Sequence, residues 1–223
     1  MKKIMFDDRF GLTKAVLDGT KTKTRRTITQ KDVDYALNQY REEYFNASLD
    51  SLSDKECLEG YLLTEKHSYY KVGDIVAIAQ PYKSFIKKPR FSMNDIEMSK
   101  GLAGWNNKMF VSAHLMPHQI KITDIKVERL HDISEEDCYK EGIIHAKWRQ
   151  FPKPNSREYI DHDIYTLDIY KESILDPWAP DDPDAWCAKE PQTAFHVLIR
   201  KMMGVKAWEC NPWVLVYSFN LVK

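Results

Sequence analysis

The stretch HQIKITDIKVERL, His118–Leu130, constrains the fold more than any other part of the chain. Ile120, Ile122, Ile125 and Val127 alternate with polar residues, with one slip near Thr123–Asp124. An apolar residue at every second position presents a single hydrophobic face from an extended strand. A slip of one residue would turn the later apolar side chains to the wrong face, so this text predicts a bulge at the slip. A strand buried on one face also needs partners. YKVGDIVAIA (Tyr70–Ala79) supplies one: a Lys-x-Gly-Asp turn opening into a β-branched run that Pro81 ends. PWVLVYSFNL (Pro212–Leu221) supplies another, with Trp213, Leu215, Tyr217 and Phe219 on one face, and KMFVSAHL (Lys108–Leu115) a third.

Strands are therefore expected near 4–8, 72–79, 108–115, 119–129 and 212–221, in one curved, mostly antiparallel sheet. Closing that sheet into a small barrel would remove its exposed edges. The expected class is mainly β with peripheral helices, an α+β arrangement. Short helices are expected at 13–18, ended by Gly19, and at 134–141, where Ser134 and Asp137 have capping-box spacing and Gly142 closes the turn. Val33, Leu37, Tyr40 and Tyr44 recur at helical spacing, and FHVLIRKMM (Phe195–Met203) reads as helix. KWRQFPKPNSREY and DPWAPDDPDAWCAKEP are read as long irregular connections with one strand or helix between them.

At 223 residues the chain can bury a sound core, and it is read as one domain over 1–223. Its 33 basic and 33 acidic side chains cancel, which argues against an extended nucleic-acid footprint and leaves room for a local basic pocket. No run reaches membrane-spanning length, and MKKIMFDDRF does not read as a signal peptide, so a cytoplasmic protein without a membrane partner is expected. The four cysteines are widely spaced, with no Cys-x-x-Cys, so neither a disulfide framework nor a metal knuckle is expected.

One segment is chemically distinct. GTKTKTRR, Gly19–Arg26, carries two lysines, three threonines and two arginines with no apolar residue. It is either a solvated basic turn or a site that binds an anion or sets a hydroxyl beside a base. Lys21 and Thr24 would come together only in a helical or 3₁₀ turn, since an extended strand points them apart. Tyr82, Trp105 and Trp148 are candidates for stacking on a planar base, or packing residues; His114 and His118 line a pocket or lie on the surface.

Taken in order, AVLDGTKTKTRR, YKVGDIVAIA, ITDIKVERLHDISEEDCYKEGI and FHVLIRKMM with NPWVLVYSFNLV resemble the ASCH domain family, across about half the chain. With MFVSAHLMP included, the layout looks most like the larger ASCH proteins of phages and prophages. The resemblance implies a PUA-like β-barrel, with 29–60, 86–106 and 144–190 as insertions. The family includes small amidohydrolases that remove the acyl group from N4-acetylcytidine, and domains thought to bind RNA without catalysis. Their motif of a lysine, a threonine three residues on and an arginine two further falls on Lys21, Thr24 and Arg26. Their catalytic glutamate falls on Glu141. The resemblance thus implies Lys21, Thr24 and Glu141 as catalytic residues with no cofactor or metal, and a nucleoside as substrate. From the residues themselves, Arg26 and Lys23 are candidate substrate-binding cations, and Tyr82, Trp105 and His114 candidate substrate contacts. Three functions stay open: hydrolysis of an N4-acylated cytidine, non-catalytic binding of RNA or a modified nucleotide, and a protein-interaction module.

Overall fold

A computed structural model describes residues 1–44, 53–63, 69–87, 92–150, 160–168 and 188–222. The period-two segment becomes strand β4 (Gln119–Arg129), paired along its length with the C-terminal strand β7 (Trp213–Leu221). The register shifts between Ile122 and Asp124, and this bulge keeps Ile120, Ile122 and Val127 all wholly buried. Around this pair, β3 (Ile75–Ile78) lies antiparallel to β4, β1 (Lys3–Ile4) parallel to β3, and β2 (Lys23–Thr27) antiparallel to β7. The order is β1-β3-β4-β7-β2 in a five-stranded sheet.

The sheet does not close, and the mainly-β barrel expected from the sequence is not what forms. Helices outweigh strands, giving a mixed α/β fold around an open sheet. The reason lies at the edges. β1 stops after two residues because Asp7 caps a 3₁₀ turn at Asp8–Phe10, and Gly11 then takes a left-handed conformation with φ 65°. Among the described residues no strand pairs with the free edge of β2, and a side chain spans from it to Met5: Arg26 Nη2 donates to the Met5 carbonyl at 2.6 Å.

The strand expected at 108–115 is likewise two 3₁₀ turns, Lys108–Phe110 and Ala113–Leu115. Asn107 caps the first, and the Lys3 ammonium takes the Met109 and Val111 carbonyls at 2.7 and 2.8 Å, so these groups are satisfied without a ladder. Within 144–190, the described part is regular: β5 (Ile143–Gln150) and β6 (Ile160–Leu167) form an antiparallel pair.

The expected short helices form as α1 (Leu12–Leu17) and, further on, a helix at Glu135–Lys140. Between them α2 (Gln30–Tyr44) and α3 (Asp54–Leu62) place Val33, Ala36, Leu58 and Leu62 against Val127 and Trp213, so the described parts of 29–60 contribute to the core. After β3 come α4 (Tyr82–Phe85) and α5 (Met93–Lys100). The Glu135–Lys140 helix is α6, and α7 (Pro191–Met203) and α8 (Val205–Glu209) precede β7. α7 supplies Phe195 and Leu198 to the main core, beside Val214 and Val216 of the central sheet. Among the described residues no helix is long and apolar enough to cross a membrane.

Candidate active site

The segment from Gly19 to Arg26 leaves α1 through a left-handed Gly19 (φ 78°) and enters the sheet rather than forming a basic surface turn. The Lys21 amide donates to Ala15 O at 2.9 Å and the Thr22 amide to Lys140 O at 2.8 Å, which docks the segment on the end of α6. From Lys23 it pairs with β7, with Thr24 opposite Tyr217, Arg25 opposite Val216 and Arg26 opposite Leu215. No helical turn joins Lys21 to Thr24, because Lys23 already belongs to β2.

Alternation along β2 sorts the side chains. Lys23 and Arg25 turn toward α6 and β4, while Arg26 reaches Met5 and lies 6.0 Å over the Phe6 ring. Thr24 shares the parity of Arg26. It is buried, and among the described residues no side-chain hydrogen bond links its hydroxyl to Lys21 or Glu141.

α6 brings the carboxylates. Ser134 Oγ accepts from the Asp137 amide at 3.2 Å, the capping contact the sequence suggests. The Asp137 carboxylate does not return to the cap. It takes Lys23 Nζ at 2.5 Å and Arg25 Nη2 at 3.0 Å. Glu141 ends the helix, and Gly142, at φ 104°, turns the chain where few side chains could follow. A Cβ at Gly142 would lie 3.7 Å from the Lys21 and Ala15 Cβ atoms.

Lys21 and Glu141 meet here, 120 residues apart in sequence. The Lys21 ammonium contacts Glu141 Oε2 and also donates to the Glu141 carbonyl at 2.9 Å. Lys21 is 2% exposed and Glu141 4%. Arg25 Nη1 holds the other Glu141 oxygen at 2.9 Å, while Arg25 Nη2 contacts Glu128. Lys126 bonds the second Glu128 oxygen at 2.7 Å. Four cations (Lys21, Lys23, Arg25, Lys126) thus face three carboxylates (Glu128, Asp137, Glu141) in a buried to half-buried cluster.

Burial pulls the Lys21 amine below its ordinary range; the charges of Arg26 and Arg25 act in the same direction, against Glu141. For Asp137 burial alone would raise the carboxyl, but hydrogen bonds and charge from Lys23 and Arg25 outweigh it and hold the group down. Burial pushes the Cys138 thiol up to about 12, so this cysteine is inert near neutrality.

Tyr82 and Trp105 do not join this cluster. They pack with Val111 and Met116 in a separate core beyond β3, and β4 and β7 lie between β3 and β2. Gly104 is tied to that packing, since a Cβ there would meet the Tyr82 ring at 2.5 Å. His114 is exposed on a 3₁₀ turn, and His118 Nδ1 pairs with Gln80 Oε1 at 2.7 Å. Trp148 is on β5, but its side chain lies outside the described residues. Trp213 is a packing residue, with the Arg129 guanidinium 4.1 Å over its ring.

A small cavity of about 150 Å³ opens next to the cluster, lined by Phe10, Lys14, Thr20, Gly142, Ile144 and Asp168, among others. Thr20 and Gly142 are the chain neighbours of Lys21 and Glu141, but neither charged residue lines it. Sequence reading did not single out Glu128, Asp137 and Lys126 as parts of the site. Asp137 was hidden by its capping spacing, and Glu128 and Lys126 read as the polar half of an alternating strand. No protein family, no curated protein and no solved structure gives a match to this chain.

Proposed function

We propose that this protein hydrolyses the exocyclic amide of an N4-acylated cytidine, or of a closely related modified nucleoside, without a metal. The observation that supports this reading is the buried contact between the Lys21 amine and the Glu141 carboxyl. Moving the one proton of that contact from nitrogen to oxygen gives a neutral amine and a carboxylic acid together, with no proton taken from solvent. Burial, which lowers the Lys21 amine, favours its uncharged form. The amine is then a general base and the carboxyl a general acid, the two roles amide cleavage requires.

In the step proposed, Thr24 Oγ forms a bond to the acyl carbon as Lys21 takes the hydroxyl proton. The carbon–N4 bond breaks as Glu141 gives its proton to the leaving nitrogen, releasing cytidine. Water then cleaves the threonine ester, releasing the carboxylic acid and restoring the hydroxyl. Arg26, half-buried on the parity of Thr24, is suited to the polar part of the nucleoside. A nucleotide-binding role without catalysis is favoured by one observation, the lack of a hydrogen bond between Thr24 and Lys21. An RNA ligand belongs to that second reading.

The assay incubates purified protein with N4-acetylcytidine and a chelator and follows cytidine by chromatography. Thr24→Ala and Lys21→Ala are each expected to lower the rate by about 10²–10⁴. Wild-type protein that binds the nucleoside but releases no cytidine would replace the hydrolase with the binder. Full activity in Thr24→Ala would assign the attack to water.

A further inference from the structure

We propose that Arg25 is the positioning residue of the Lys21–Glu141 pair, its guanidinium taking one carboxylate oxygen of Glu141 so that the other faces Lys21. The catalytic consequence rests on the hydrolase reading; the geometric claim does not. Arg25 is 3% exposed at its side chain and reaches three carboxylates: Glu128 of β4, Asp137 of α6, and Glu141 at the C-terminal cap of α6. A guanidinium is a rigid planar fork, so fixing one nitrogen fixes the direction of the other. Glu128 and Asp137 both hold Nη2, and Nη1 is left aimed at Glu141 Oε1. The Phe195 ring lies 5.7 Å from the guanidinium carbon, and the Nε hydrogen of Arg25 has no hydrogen-bond partner among the described residues. The orientation therefore comes from the carboxylates, at the cost of one buried unsatisfied donor.

The pair has few other neighbours able to set it. Lys21 contacts Glu141 and feels the charges of Arg25 and Arg26, while Ala15, Leu12 and the Lys21 Cβ surround Gly142. On the Arg25 side the remaining charges are Lys23 on Asp137 and Lys126 on both Glu128 and Asp137. Val216 of β7 and Phe195 of α7 are apolar. Loss of Arg25 would free a carboxylate oxygen of Glu141 to rotate, and would remove a cation that disfavours charge on Lys21. A lysine at position 25 keeps a charge but is a single point rather than a fork.

The test labels lysine side-chain nitrogens with ¹⁵N, assigns Lys21 through Lys21→Arg, and follows its titration by NMR in wild type, Arg25→Gln and Arg25→Lys. Cytidine release against pH is measured on the same samples. The Lys21 titration is expected to move to higher pH in Arg25→Gln and less in Arg25→Lys. Both variants should lose about 10² in kcat with KM little changed, the size expected of a misplaced catalytic group. The base limb of the rate profile should follow the NMR shift. An unmoved Lys21 titration in folded Arg25→Gln overturns the proposal, as does Arg25→Lys with wild-type titration and rate. Should Arg25→Gln not fold, Arg25→Lys alone decides by the same criterion. A Lys21 titration that shifts in Arg25→Lys, where the charge is kept, in a protein without hydrolase activity supports the positioning claim and counts against the hydrolase reading alone.

Discussion

At the scale of single residues, the costliest placement is the Lys21 amine. An ammonium taken out of water loses its hydration, and only a close carboxylate and further acceptors offset that loss. Glu141 provides both, through its side chain and its carbonyl. Lys21→Met removes one half of a buried pair and is expected to destabilise the fold by about 3–5 kcal/mol, read by urea denaturation at pH 7. The sign with pH follows from the lowered amine. Below its folded value Lys21 is charged in folded and unfolded chains alike, and the burial cost is fully present. Between that value and the ordinary 10.5 the unfolded chain holds more protons, so stability rises with pH. The gap between wild type and Lys21→Met should therefore widen as pH is raised toward 10.5. Parallel curves from pH 7 to 10 would remove the lowered amine from the account.

At the scale of elements, α6 is the part on which the site depends. It is only six residues long, too short to hold its shape by helix propensity. Ser134 secures its first turn, and Ser134→Ala is expected to cost about 1 kcal/mol in thermal or chemical melts. Asp137 ties the same helix to β2. Its carboxyl is held below the ordinary value by Lys23 and Arg25, so its contribution is present above about pH 3.9 and lost as pH falls through the folded value. Asp137→Asn should thus be less stable than wild type at pH 7, with a shallower loss of stability below pH 4. An acid limb as steep as that of wild type would show that the contact contributes nothing. Ser134, Gly142 and the bulged strand were all legible in the sequence, because capping, left-handed glycines and period-two alternation are local signals. The role of Asp137 was not. Which partner a carboxylate finds at sequence separations of 112 and 114 residues depends on packing, and local spacing suggested only the cap.

At the scale of the whole molecule, the strands at 119–129 and 212–221 and their membership of one mostly antiparallel sheet were legible, but not the open edge. Alternating residues report that a strand is half-buried, without saying whether the sheet's two ends meet. The short β1 and the 3₁₀ turns replacing a strand at 108–115 are set by Asp7, Asn107 and Lys3, single polar contacts weaker as signals than a run of apolar residues. Of the cluster, the Lys21 segment stood out because seven polar and charged residues follow Gly19, whereas its burial and its partners Glu128, Asp137 and Lys126 did not. What spans the open edge is Arg26, through the Met5 carbonyl and the Phe6 ring. Arg26→Met keeps much of the stem and removes the donor to Met5. A hydrogen bond from a charged donor to a partly exposed carbonyl contributes about 1–2 kcal/mol. Arg26→Met is therefore expected to lower stability by about that amount, and to speed amide exchange in Lys23–Thr27 relative to β4. β2 pairs with β7 on one side only, whereas β4 has strands on both sides. Unchanged exchange across β2 in Arg26→Met would show that the ladder to β7 holds this edge by itself, and that the Arg26 span plays no part in it.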